Sequence, residues 1–145
     1  MKNISLFFVI AFFLVSCSKE AGEGGTSVIE GKVYKLVTWQ NGAEIDTLEY
    51  EPDEGVDVYI IYSDDKDAVY DDKFETDWNG RYRFEYLRKG DYTIYTYKDS
   101  ITPNDPNDPF LHLVEYTVPV FRQITISSNG STNTVDDFVI EEIDN

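Results

Sequence analysis

Thr76-Asp77-Trp78-Asn79-Gly80-Arg81-Tyr82-Arg83-Phe84-Glu85-Tyr86-Leu87-Arg88-Lys89-Gly90-Asp91-Tyr92-Thr93-Ile94 carries the secondary structure of this chain most openly. Asp77-Trp78-Asn79-Gly80 is a turn, because Asn and Gly tolerate positive φ. Beyond it Tyr82, Phe84 and Tyr86 alternate with Arg81, Arg83 and Glu85, which predicts a strand with an apolar inner face and a charged outer one. Leu87 plugs the core before the turn Arg88-Lys89-Gly90-Asp91, after which Tyr92, Ile94 and Thr96 share one face and Thr93, Tyr95 and Tyr97 the other. With a short strand at Lys73 to Thr76, these segments predict an antiparallel meander.

The same grammar extends in both directions. Upstream, Gly55 opens a strand in which Val56, Val58, Ile60 and Tyr62 face one way and Asp57, Tyr59 and Ile61 the other; one face must be core. Earlier still, Ile29-Glu30-Gly31-Lys32-Val33 alternates and extends towards Trp39 with a change of phase near Lys35, before the turn signal Asn41-Gly42. Downstream, Asn104-Asp105-Pro106 is followed by Asn107-Asp108-Pro109, so Ser100 to Pro109 reads as a loop. Runs from Leu111 to Ile126 and Thr134 to Ile143 finish the sheet, with Pro119 marking a bulge or an edge and Asn129-Gly130 turning between them. No helical repeat interrupts this series. The expectation is an all-β antiparallel β-sandwich of about seven strands over residues 28–145, one domain in length.

The first residues have a different character. Met1-Lys2-Asn3 precedes the apolar run Ile4 to Val15, and Leu14-Val15-Ser16-Cys17 closes it, which predicts a signal peptide over residues 1–16. As a helix that run would be about 18 Å long, against ~30 Å of bilayer hydrocarbon, so a permanent transmembrane helix is the weaker alternative. The quartet resembles the lipobox of bacterial lipoproteins. The resemblance implies cleavage before Cys17, diacylglycerol on its sulfur, acylation of the new amine, and a cell-envelope location. Ser18 in place of aspartate implies the outer membrane, with the face undetermined. Cys17 is the only cysteine, so an intrachain disulfide is excluded. Residues 17–27, small and polar after Cys17, read as a flexible tether.

The full chain carries a formal charge of −16, and removing Lys2 with the leader leaves 11 basic residues against 28 acidic ones, a net of −17. That balance argues against nucleic acid and against flat adsorption to anionic lipid, which leaves the acyl chains as the membrane attachment. All 11 tyrosines lie in the part after the leader, in keeping with sheet faces that are half wet.

The order Ile29-x-Gly31-x-Val33, Gly55-Val56-x-Val58, Thr76-Asp77-x-x-Gly80-x-Tyr82-x-Phe84-x-x-Leu87-x-x-Gly90-x-Tyr92-x-Ile94 resembles the carboxypeptidase-regulatory-like and Cna-B-like domains. The resemblance implies a transthyretin-like sandwich and supports a fold better than a function. The segments between Trp39 and Gly55 and between Ser63 and Phe74 are longer and more acidic than a minimal domain needs. Transthyretin-related hydroxyisourate hydrolases share the general fold but use several histidines and a Tyr-Arg-Gly-Ser ending. Here His112 is the sole histidine and the chain ends Glu141-Glu142-Ile143-Asp144-Asn145, so that activity is not expected.

No catalytic constellation stands out, and the expectation is a non-enzymatic binding module for a protein or glycan partner. The alternative is a fimbria-like or outer-membrane assembly subunit joined through its edge strands. No cofactor is expected beyond calcium, which takes ~6 to 8 oxygen ligands, for which Asp64, Asp65, Asp67, Asp71 and Asp72 concentrate carboxylates on one loop. Neither this loop nor Asp105, Asn107 and Asp108 has EF-hand spacing, and a solvated acidic loop is the plainer alternative. Trp39, Trp78, Tyr95 and Tyr97 are candidates for stacking on sugar rings, since several members of the resembled fold group are placed in carbohydrate-binding superfamilies; core packing or edge protection is the plainer alternative for each.

Overall fold

The computed structural model describes residues 20–41, 44–103 and 113–143. The expected signal peptide, Cys17, His112, Asp105, Asn107 and Asp108 lie outside them. Among the described residues nine strands follow in order: β1 (Glu23–Asn41), β2 (Glu44–Pro52), β3 (Asp57–Ile61), β4 (Asp72–Glu75), β5 (Arg81–Leu87), β6 (Gly90–Pro103), β7 (Leu113–Ile126), β8 (Thr132–Thr134) and β9 (Phe138–Ile143). Among the described residues no helix is long and apolar enough to cross a membrane.

The strands form the expected all-β sandwich, with nine described strands in place of about seven, in one sheet of five and one of four. The five-stranded sheet is organised around β1, which pairs antiparallel with β5 over its first half and with β2 over its second. Val33 is the junction: its N–H donates to the Gly80 carbonyl (2.8 Å) and its carbonyl accepts from the Asp53 N–H (3.0 Å). β8 and β9 also pair with β1, both parallel to it. The second sheet has the order β4-β3-β6-β7, all antiparallel.

Apolar residues from both sheets meet between them. Ile29, Val33, Tyr82, Phe84, Leu87 and Phe138 of the first pack with Val58, Ile60, Tyr92, Ile94 and Ile126 of the second. For β3 the core face is therefore the one bearing Val56, Val58, Ile60 and Tyr62. Burial of such faces is the main stabilising term, at about 25 cal/mol per Å² of apolar surface removed from water.

Several expectations need correction. The meander does not form: β4 joins β3, β5 joins β1, and β6 lies between β3 and β7. The Asp77–Gly80 turn is real, with Gly80 N–H on the Asp77 carbonyl (2.8 Å) and the Asp77 carboxylate accepting from Asn79 and Arg81, but it passes the chain from one sheet to the other. Tyr86 points out of the core, 69% exposed at φ 60°, because β5 carries a bulge. Between the pairs Ser27↔Leu87 and Ile29↔Phe84, β5 spends one residue more than β1, and this turns Leu87 inward instead.

The acidic segment after Trp39 is strand β2, and Ser100–Pro103 continue β6 as strand. The last run divides into β8 and β9 around Val135 to Asp137. Pro119 sits opposite Tyr97 in an unbroken ladder, on the edge strand β7, where a missing N–H is tolerated. The boundary expected at Val28 also falls earlier. β1 begins at Glu23, Ser27 is buried, and Gly22 donates its N–H to the Tyr92 hydroxyl (2.9 Å) while accepting from Arg88 N–H (2.8 Å).

Candidate functional site

The outer face of the four-stranded sheet carries the densest aromatic group of the described residues. Tyr59, Tyr95 and Phe121 are direct cross-strand neighbours on β3, β6 and β7, so the ladder register itself places their rings side by side. Tyr59 and Tyr95 stack, with centroids 5.0 Å apart and planes 16° from parallel. Phe121 lies 5.2 Å from Tyr95 at 45°. Tyr97, two residues along β6, stands edge-on to both, 5.7 Å from Tyr95 and 5.8 Å from Tyr59. Tyr70 reaches over from the β3–β4 loop and meets Tyr59 edge-on at 4.9 Å.

Exposure is graded across this cluster. Tyr95 is 7% exposed and forms its base, whereas Tyr70 and Tyr97 are 46% and 44% exposed and form its rim. Burial pushes the Tyr95 hydroxyl up to about 12, with the neighbouring Tyr97 adding to the effect. Tyr59 is likewise raised, first by burial and then by the Asp57 carboxylate, to which its hydroxyl donates at 3.2 Å. Asp57 also accepts from Lys73 Nζ at 2.9 and 3.0 Å, and this bond to Lys73 is the main reason its carboxyl lies below the usual range. The result is a neutral phenolic platform bordered by an ion pair at the surface.

The acidic loop adjoins this platform and is built into the sheet rather than hanging free. Gln123 of β7 donates to the Asp64 carbonyl (2.8 Å), Thr93 to the Ser63 carbonyl (2.9 Å), and Lys66 Nζ lies 5.7 Å from the Phe121 ring centre. Its aspartates satisfy backbone donors: Asp71 accepts from Tyr62 N–H (2.7 Å), Asp65 from Asp67 N–H (3.0 Å) and Asp72 from Lys73 N–H (2.8 Å). Among the described residues no three His, Cys, Asp or Glu side chains gather as a metal site. A cleft of about 800 Å³ beside the loop is bordered by Ile61, Asp64, Asp71 and Asp91.

The structure thus brings Tyr95 and Tyr97 of the four expected aromatic residues together. Trp78 stands apart in the Asp77–Gly80 turn, 73% exposed, with no ring partner among the described residues. Trp39 is paired with Asp46 in the β1–β2 ladder, and its side chain lies outside the described residues. Tyr59, Tyr70 and Phe121 are the members that alternation alone does not single out. The available signal was Tyr59 on the face opposite Val58 and Ile60, but its neighbours depend on strand order.

The site therefore belongs to a β-sandwich that displays aromatic rings on an outer sheet face. No family model and no curated protein matches the chain. Among solved structures it is similar to a candidate carbohydrate-binding protein from Pseudomonas aeruginosa, with 16% identity, a TM-score of 0.44, and coverage of 84% of this chain and 92% of that one. It is also similar to a 9R-lipoxygenase from Cyanothece, with 15% identity and a TM-score of 0.40, covering 81% of this chain but 16% of the enzyme.

Proposed function

We propose that this protein is a non-catalytic envelope lipoprotein, held in the outer membrane by acyl chains on Cys17, that binds a glycan on the tyrosine face of its four-stranded sheet. The observation that carries the reading is the cluster itself. A stacked Tyr59–Tyr95 base with exposed Tyr70 and Tyr97 edges offers flat apolar rings next to hydroxyls and the Asp57 carboxylate. Sugar rings present the complementary combination of C–H faces and equatorial hydroxyls. Tyrosine supplies such contact area with one polar handle per ring.

The test is a glycan array probed with the full chain, followed by calorimetry on any hit. Tyr97→Ala should weaken binding about tenfold, equivalent to ~1.4 kcal/mol, with little change in folding. An array without hits, or hits indifferent to both Tyr70→Ala and Tyr97→Ala, removes the glycan reading. For the anchor, Cys17→Ala should move the protein from the membrane to the soluble fraction, and unchanged retention would defeat it.

A second reading rests on β7. It is the last strand of its sheet, pairs only with β6 among the described residues, and is 14 residues long. An open edge of that length is a template for strand addition, as an assembly subunit requires. Concentration-dependent association of the full chain, abolished by a proline at an outward-facing N–H of β7, would favour assembly over glycan capture.

A further inference from the structure

Away from the tyrosine face, at the end of the sandwich where the β5–β6 turn lies, a cleft of about 440 Å³ is lined by Gly24, Gly25, Thr26, Arg88, Lys89 and Asn129. The lining holds two cations, an amide and a hydroxyl, and no carboxylate. In a chain with 28 acidic residues and a net charge of −16, such a lining is conspicuous. The nearby acids are engaged elsewhere: Glu23 accepts from the Tyr62 hydroxyl (3.5 Å), and Asp91 from Thr125 (2.6 Å).

The local backbone is shaped around the guanidinium. Glu23 and Ser27 both stand opposite Leu87, so Gly24, Gly25 and Thr26 form an excursion out of the β1–β5 ladder. Gly24 has φ +94°, and a β-carbon there would lie 2.8 Å from an Arg88 guanidinium nitrogen. Arg88 therefore rests against bare glycine backbone, where a β-carbon would push the end of its flexible side chain aside. Its Nε is buried, with no acceptor among the described residues. The Nε–H thus has no protein acceptor among these residues, and no carboxylate in the cleft lining offsets the guanidinium charge that Nε shares with the outer nitrogens of Arg88.

We infer that this cleft binds a phosphate group, with the outer guanidinium nitrogens of Arg88 as its principal ligands and Lys89 and Asn129 completing the donor set. Arginine is the side chain best matched to two oxygens of a tetrahedral oxyanion, and lysine adds a point charge. Two sources share this chemistry: a free phosphate monoester, and the phosphodiester of a lipid headgroup. The second gains weight if Cys17 is acylated, because Gly24 is seven residues from it and an extended chain spans at most ~3.6 Å per residue. The inference stands whether or not the tyrosine face binds glycan.

The experiment is calorimetric titration of the full chain in non-ionic detergent with inorganic phosphate and, separately, with glycerophosphoglycerol as a soluble phosphodiester. Millimolar or tighter binding is expected, weakened about tenfold by Arg88→Gln and several-fold by Lys89→Gln. Lys89 is exposed, so its variant folds normally even if Arg88→Gln does not. Preference for the diester assigns the site to headgroups, and preference for phosphate assigns it to a free monoester. No binding of either compound at millimolar concentration, or binding unaltered in both variants, overturns the inference.

Discussion

The two faces of the four-stranded sheet are made by the same strands, yet they are different materials. Inward, Val58, Ile60, Tyr92, Ile94 and Ile126 are fully buried against the five-stranded sheet, and all but one are aliphatic. Outward, Tyr59, Tyr95, Tyr97 and Phe121 make a ring-on-ring surface whose burial decreases from Tyr95 to Tyr97. The difference separates stability from recognition. An aliphatic face gains by excluding every neighbour but its own core, whereas a tyrosine face is stable when partly wet and retains polar edges for a partner.

The separation is sharpest in its consequence for mutation. Ile94→Ala should cost about 2 to 5 kcal/mol in chemical denaturation, because its inward side chain leaves a cavity that the surrounding close packing fills only in part. Tyr97→Ala, next to the same strand segment but outward and 44% exposed, should cost less than about 1 kcal/mol. Equal losses at the two positions would mean that the tyrosine face is a second core and not a surface held ready for a ligand.

How much of this was legible beforehand follows the range of the interactions. Alternation showed the two faces of β3 and β6, since side-chain direction is local and has period two. It could not show that β5 leaves β4 for β1, because pairing is decided by burial shared across the chain. The glycines and acidic residues at either end of β1 misled in another way. Gly22 to Ser27 look like tether because they are rich in glycine and poor in strand-forming residues, and Glu44 to Pro52 look like a solvated insertion because four acids, Glu44, Asp46, Glu49 and Glu51, interleave with Ile45, Thr47, Leu48 and Tyr50. In the structure Glu44 to Pro52 pair with β1, while the Gly22 to Ser27 stretch is tied at Gly22 to the Tyr92 hydroxyl and at Glu23 and Ser27 to Leu87. Tyr95 and Tyr97 could be proposed for the site from exposure-prone tyrosines alone, but Tyr70 and Phe121 enter it only through loop placement and strand register.

A smaller effect should follow from pH. Burial holds Tyr95 protonated to about 12, and Tyr59 is shifted the same way, whereas an unfolded tyrosine ionises near 10. A raised folded value means that the stabilisation is complete below about pH 10 and is lost as pH rises towards 12, because over that interval the unfolded chain releases protons that the folded chain keeps. Tyr95→Phe preserves the Tyr59 stack and removes one titrating group, so it should flatten the alkaline loss while leaving neutral-pH stability nearly unchanged. A pH profile of unfolding midpoints that is identical in the two proteins would place the alkaline sensitivity elsewhere, on inward groups such as Tyr82, whose hydroxyl is also raised by burial.

The least effect on folding is expected at the border of the tyrosine face. The Asp57–Lys73 pair is close, at 2.9 Å, but both side chains are well exposed, and such pairs contribute about 0 to 1 kcal/mol because water and salt screen them. Asp57 has a lowered folded value, so its contribution is present above the ordinary carboxylate range and fades as pH falls through the folded value. Asp57→Asn should therefore scarcely move the unfolding midpoint at neutral pH. If the outer face exists for recognition, the same substitution should still weaken glycan binding several-fold, because it removes the charged acceptor beside Tyr59. A loss of stability without a loss of binding would reverse that assignment and make the pair a fastening between β3 and β4.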